Sequence, residues 1–96
     1  MHMETKNTLP VKADDEVMKG RYTNFMAVTS TSEEFMMDFL FMSANPPGGQ
    51  VLARFVTSPG HMKRIIEALE TQMKVYEDTH GKVSAATSPA APMGFH

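Results

Sequence analysis

The chain contains no cysteine, no apolar run long enough to cross a bilayer and no strong excess of either charge, and each absence closes a route. Without cysteine, no disulfide can hold a small domain together. Without some 20 successive apolar residues there is no transmembrane helix, and no leader of charged, apolar and small residues marks the chain for secretion, so a cytoplasmic location is expected. A formal net charge of −2 gives no general attraction to phosphate backbones, which disfavours nucleic acid unless a local patch supplies it. No Gly-rich phosphate loop is present, nor a recognisable Ser, His and carboxylate set. The expectation is therefore a non-enzyme with no catalytic residue and no cofactor.

What the 96 residues do contain is an apolar run, Glu33-Glu34-Phe35-Met36-Met37-Asp38-Phe39-Leu40-Phe41-Met42, that is hydrophobic on both alternating faces. Strand side chains alternate between faces, so neither face of this strand suits water. One face can take the chain's own helix, and the other calls for a second chain. The size of the domain argues the same way. With polar ends set aside, roughly 60–65 residues remain for a core, a length at which folding buries only about 60% of the chain's surface. Oligomerisation is the remaining route to stability once disulfides are excluded.

Residues 1–19 are polar, interrupted by Pro10 and without sustained period, and read as a flexible arm. Residues 83–96 are biased to Ala, Ser and Pro and read as a flexible tail. Between them, residues 20–82 form the expected domain. Tyr22, Asn24, Met26 and Val28 alternate with Thr23, Phe25, Ala27 and Thr29, giving a first strand at about 21–29. Thr29-Ser30-Thr31-Ser32 supplies turn chemistry. The Phe/Met run is the second strand, Asn45-Pro46-Pro47-Gly48-Gly49 reads as a loop, and Gln50–Thr57 is the third strand. Short connections favour antiparallel neighbours, with the Phe/Met strand in the centre.

A long helix follows. Ser58 is suited to its N-cap, Pro59 to its first position and Gly81 to its end. Met62, Ile65, Ile66, Leu69, Met73 and Tyr76 form one apolar seam, which is expected to pack on the sheet. A helix from Pro59 to His80 would be roughly 33 Å long, against about 27 Å for an eight-residue strand, so its last turn should overhang and seek another subunit. The fold class predicted is α+β, a three-stranded antiparallel β-meander followed by one long amphipathic α-helix.

Ten methionines and four histidines raise the question of a soft metal. Met36, Met37, Met42, Met62 and Met73 fall on the strand run and the seam, where thioethers fill core gaps. His2, His61, His80 and His96 lack the short spacing of a ligand set, so no metal is expected. Asp38, alone among apolar residues, needs a partner from Arg21, Arg54 or backbone donors, and Asp38 with Arg54 is the candidate structural pair. Phe35, Met37, Phe39 and Phe41 on one strand face, with Met73 and Tyr76 at the helix end, are the candidate interface of a homo-oligomer. Arg54, Lys63, Arg64 and Lys74, with Tyr22 and Phe25 for stacking, carry the alternative of a nucleic-acid-associated regulator. Glu67, Glu70 and Asp78 lie four residues from Lys63 or Lys74 and neutralise that face. Pro92-Met93-Gly94-Phe95-His96 places apolar groups at the chain end, as a docking peptide to an unidentified protein partner would.

Arg21-Tyr22-Thr23-Asn24, Glu34-Phe35 with Asp38-Phe39, Arg54, Ser58-Pro59 with His61 and Lys63, and Tyr76-Glu77 before Gly81 form an ordered series over residues 20–82. The series resembles the prokaryotic DUF3467 family of proteins of unknown function. Gly60 and the Met-heavy strand depart from that pattern. The resemblance implies the fold and carries no reaction, cofactor or catalytic residue with it.

Overall fold

The structure is a computed structural model that describes residues 9–87. Three strands, β1 (Phe25–Ser30), β2 (Phe35–Ala44) and β3 (Pro47–Thr57), form one antiparallel sheet in sequence order, with β2 central. Two helices flank them in sequence. α1 (Asp15–Lys19) is a single exposed turn before the sheet, and α2 (Pro59–His80) follows it. This is the α+β meander and long helix that the sequence implies. A short helix does fall inside the segment assigned to a flexible arm, with Asp15 and Glu16 in its first turn and Lys19 in its last, charges that match the helix dipole.

The β1–β2 turn is held by Thr31, whose hydroxyl accepts from the backbone N–H groups of Glu33 and Glu34, while Thr31 N–H donates to the Glu34 carbonyl at 2.9 Å. β1 begins later than its alternation suggests. Asn24 ends the extended pairing by side chain instead: its amide donates to the Met42 carbonyl at 3.0 Å and accepts from Met42 N–H at 2.8 Å. A side-chain amide has the same donor and acceptor as a peptide and stands in for one more rung. The segment before it then leaves the ladder, and the Thr23 hydroxyl donates to the Leu40 carbonyl at 2.7 Å.

The expected loop at 45–49 is much shorter in the structure. Only Asn45 and Pro46, joined by a cis peptide bond, make the turn, and Pro47, Gly48 and Gly49 pair with Ala44, Ser43 and Met42. Proline is tolerated at the first residue of an edge strand, which is where Pro47 lies. At Gly49 the Met42 thioether lies against the backbone, and a Cβ there would require that flexible side chain to shift. Further along, Phe39 pairs with Ala53 but Leu40 with Val51, so Leu52 is an extra residue in a bulge. Arg21 donates from Nη1 to the Leu52 carbonyl at 3.0 Å, fixing the incoming segment to this irregular point of β3.

α2 has the limits its punctuation implies. The Ser58 hydroxyl accepts from His61 N–H at 3.2 Å, Pro59 occupies the first turn, and Gly81 ends the helix at φ 94°, a backbone conformation that glycine adopts without penalty. Its packing differs from the expectation. Of the seam, Met62 is buried, but Ile66, Leu69, Met73 and Tyr76 are exposed, so the overhang begins a full turn after the helix starts and not at its last turn. Among the described residues the buried hydrophobic side chains are Met37, Leu40 and Met62, at 5%, 4% and 7% exposure.

Candidate interaction surfaces

Cross-strand pairing sorts the sheet residues onto two faces. One face carries the rows Val28–Met37–Phe55 and Met26–Phe39–Ala53. The other carries Thr29–Met36–Val56, Ala27–Asp38–Arg54 and Phe25–Leu40–Val51. The second face has the polar group. Arg54 donates from Nε to Asp38 Oδ1 at 2.7 Å and from Nη2 to Oδ2 at 2.8 Å, a two-pronged pairing across directly opposed positions. Ala27, on the other side of Asp38, leaves room for it. The carboxylate side chain is 7% exposed and the guanidinium 55%, so Arg54 covers a buried acid from the solvent side.

The hydrogen bonds from Arg54 hold the Asp38 carboxyl below the usual carboxylate range, against the opposing effect of burial and with help from the positive charge. The Arg54 pKa is raised in turn by the same bonds and the acid's charge. Both carboxylate oxygens are occupied by Arg54, and a carboxylate held ionised is a weak base at neutral pH. Its evident work is to register β2 against β3.

The first face is apolar and open, and Val51 and Val56 are exposed on the second. Met26, Val28, Phe41 and Phe55 are exposed, with Phe55 at 55%, and Phe39 and Phe55 meet edge to face with centroids 6.0 Å apart. Tyr22 sits edge-on to Phe41 at 6.4 Å. Of the strand residues proposed as interface, Phe41 is exposed and Phe35 and Phe39 are half-buried. Met37 is buried within its own chain, between Val28 and Phe55 in its row, and offers no surface of its own.

The second open surface is the stripe on α2. Leu69, Met73 and Tyr76, with Gln72 and Val83, line a shallow apolar groove. Val83 reaches it because the chain turns at Gly81 and Val83 N–H donates to Glu77 Oε2 at 2.9 Å. Met73 and Tyr76 are thus as open as proposed. Ile66 and Leu69, which the sequence assigned to the packed part of the seam, join them, and Leu69 is 63% exposed. Met73 does not fill a core gap, contrary to its sequence assignment.

Other candidates are dispersed. His61 and His80 lie at opposite ends of α2, about 28 Å apart along its axis, and His2, His96 and the docking segment 92–96 lie outside the described residues. Among the described residues, no three His, Asp or Glu side chains converge on one point. Of the basic residues of the nucleic-acid alternative, Arg54 is engaged by Asp38, and Lys74 is paired with Asp78 at 3.1 Å. No helix among the described residues is long and apolar enough to cross a membrane.

A three-stranded meander followed by a long helix, with open apolar surface on both and one buried acid paired to an exposed arginine at the centre, defines a small α+β module. The chain belongs to the DUF3467 family, described as proteins of unknown function, whose model matches residues 1–85. The match reaches past the series of motifs in the domain to include α1 and the residues before it. No curated protein and no solved structure matches the chain.

Proposed function

We propose that this protein is a non-enzymatic homo-oligomeric module whose role is assembly or protein interaction. The observation that carries this reading is the imbalance of its apolar surface. Three hydrophobic side chains are buried among the described residues, while Met26, Val28, Phe41 and Phe55 on the sheet and Ile66, Leu69, Met73 and Tyr76 on the helix are exposed. Contiguous apolar surface of this kind marks interaction sites, and a core this small does not usually sustain a domain without disulfides, metal or a partner. The absence of cysteine removes the first of those. The chain itself is the partner most consistently available to it, and an isologous contact needs no second component.

Light scattering across the size-exclusion peak of the full chain tests the proposal. The expected result is a mass of at least twice 10.7 kDa, without excess absorbance at 260 nm. A single-chain mass throughout the accessible concentration range overturns it, and co-eluting nucleic acid would move the protein to the regulatory class.

A further inference from the structure

The assembly reading leaves open which surface pairs and in what direction, and the following inference rests on it. Met62, Ile66, Leu69, Met73, Tyr76 and His80 recur along α2 at alternating intervals of four and three residues, the spacing of a coiled-coil seam. Met62 is used within its own chain, so the free part of the seam runs from Ile66 to Tyr76. That part reads the same in both directions. Leu69 and Met73 lie two residues either side of Thr71, and Ile66 and Tyr76 lie five either side.

We propose that α2 packs antiparallel against α2 of a second copy, about a two-fold axis level with Thr71. Ile66 then meets the partner's Tyr76, Leu69 meets the partner's Met73, and symmetry repeats both contacts. The partner's Leu69 and Ile66 enter the groove of Leu69, Met73, Tyr76 and Val83.

Charge selects the direction. Lys63, Glu70 and Glu77 are spaced seven apart and therefore follow one flank of the seam. In an antiparallel pair like flanks adjoin, and Lys63 comes beside the partner's Glu77 at both ends. A parallel pair sets this flank against Ile65, Gln72 and Thr79, where no charge answers it. The antiparallel arrangement has one repulsive feature, Glu70 near the axis facing its own copy, and this supplies a test of sign. The seam is short, with four apolar layers, and lies inside the limits that Ser58 and Gly81 set for the helix.

Sedimentation equilibrium on the full chain, with circular dichroism to verify the fold of each variant, decides the matter. Leu69→Glu places two charges in the centre of the seam and should weaken association at least about 100-fold. Lys63→Glu should weaken it about five- to tenfold, and adding Glu77→Gln, which keeps an acceptor for Val83 N–H, should recover most of that loss. Glu70→Gln should strengthen association. If the wild-type chain associates but Leu69→Glu leaves its mass unchanged, the helix pairing is wrong and the assembly reading survives through the sheet face. If Leu69→Glu dissociates the complex but Glu77→Gln gives the Lys63→Glu chain no recovery, the antiparallel register is wrong. A wild-type chain that stays single at every concentration overturns both readings.

Discussion

At the middle of β2, Met37, Asp38 and Leu40 are buried and the strand is paired on both sides; along α2, Met62 is buried and the rest of the apolar seam is open or half-open. Both elements are regular and well delimited, so the contrast lies in what satisfies them. The backbone and polar groups of β2 find their partners within the chain: ladders on each side, Arg54 for the one buried acid and Asn24 for the end of the pairing, while Met26, Val28, Phe41 and Phe55 around them stay exposed. The helix closes only its own termini, through Ser58 and Gly81, and leaves its side-chain surface to be matched elsewhere. Local signals can complete a helix without giving it a place in a core. Most helix stability in proteins comes from packing of the apolar face, so α2 is the element whose order should depend on a second molecule.

Substitutions can sharpen that contrast. The largest effect on the fold should come from Leu40→Ala, which empties a site 4% exposed at the sheet centre and should cost about 2–5 kcal/mol in urea unfolding. Asp38→Asn should follow. It removes the charge and turns one of the two acceptors of Arg54 into a donor, and the midpoint of unfolding at neutral pH should fall clearly. The same pair sets a pH dependence of known sign. Asp38 has a lower pKa folded than unfolded, so the unfolded chain binds its proton first as pH drops. The pair's contribution is complete above about pH 4 and is lost as pH falls through the lower folded value. Unfolding curves from pH 7 to pH 2 should show this loss in the wild-type chain and a reduced slope in Asp38→Asn.

Helix substitutions should act on a smaller scale. Ser58→Ala removes the cap on His61 N–H and should destabilise α2 by about 1 kcal/mol, read from helical circular dichroism on heating. The smallest effect on the fold should be that of Leu69→Ala. At a concentration where the chain is single, it should shift unfolding by less than about 0.5 kcal/mol, because the side chain it shortens already faces water. Equal loss from Leu69→Ala and Leu40→Ala would erase the contrast between the two regions.

The same contrast explains what the sequence made legible. The bounds of α2 could be read because Ser58, Pro59 and Gly81 each act locally, on backbone groups within a turn. The central position of β2 could be read because both of its faces are apolar. Its lone acid pointed to a short choice of donors, of which the structure uses Arg54. The edges were harder. Residues 21–24 alternate as a strand does, and what removes them from the ladder is Asn24 bonding to Met42, a contact 18 residues distant. Pro47-Gly48-Gly49 has the composition of a loop, yet its glycine makes room for Met42 in a paired strand. Amphipathicity in α2 signalled that a face must be covered. It held no information on whether the covering surface belonged to the same chain, and Ile66 and Leu69 were therefore placed on the sheet when they are open.

Hydrogen exchange measured at several protein concentrations tests this division most directly, because it reports the two regions in one experiment. Amides of β2 should be protected equally at all concentrations, while those of residues 66–80 should gain protection as concentration rises and the mass doubles. Concentration-independent protection of residues 66–80 in a chain that remains single would contradict that division, and would show that the helix needs no partner to be stable.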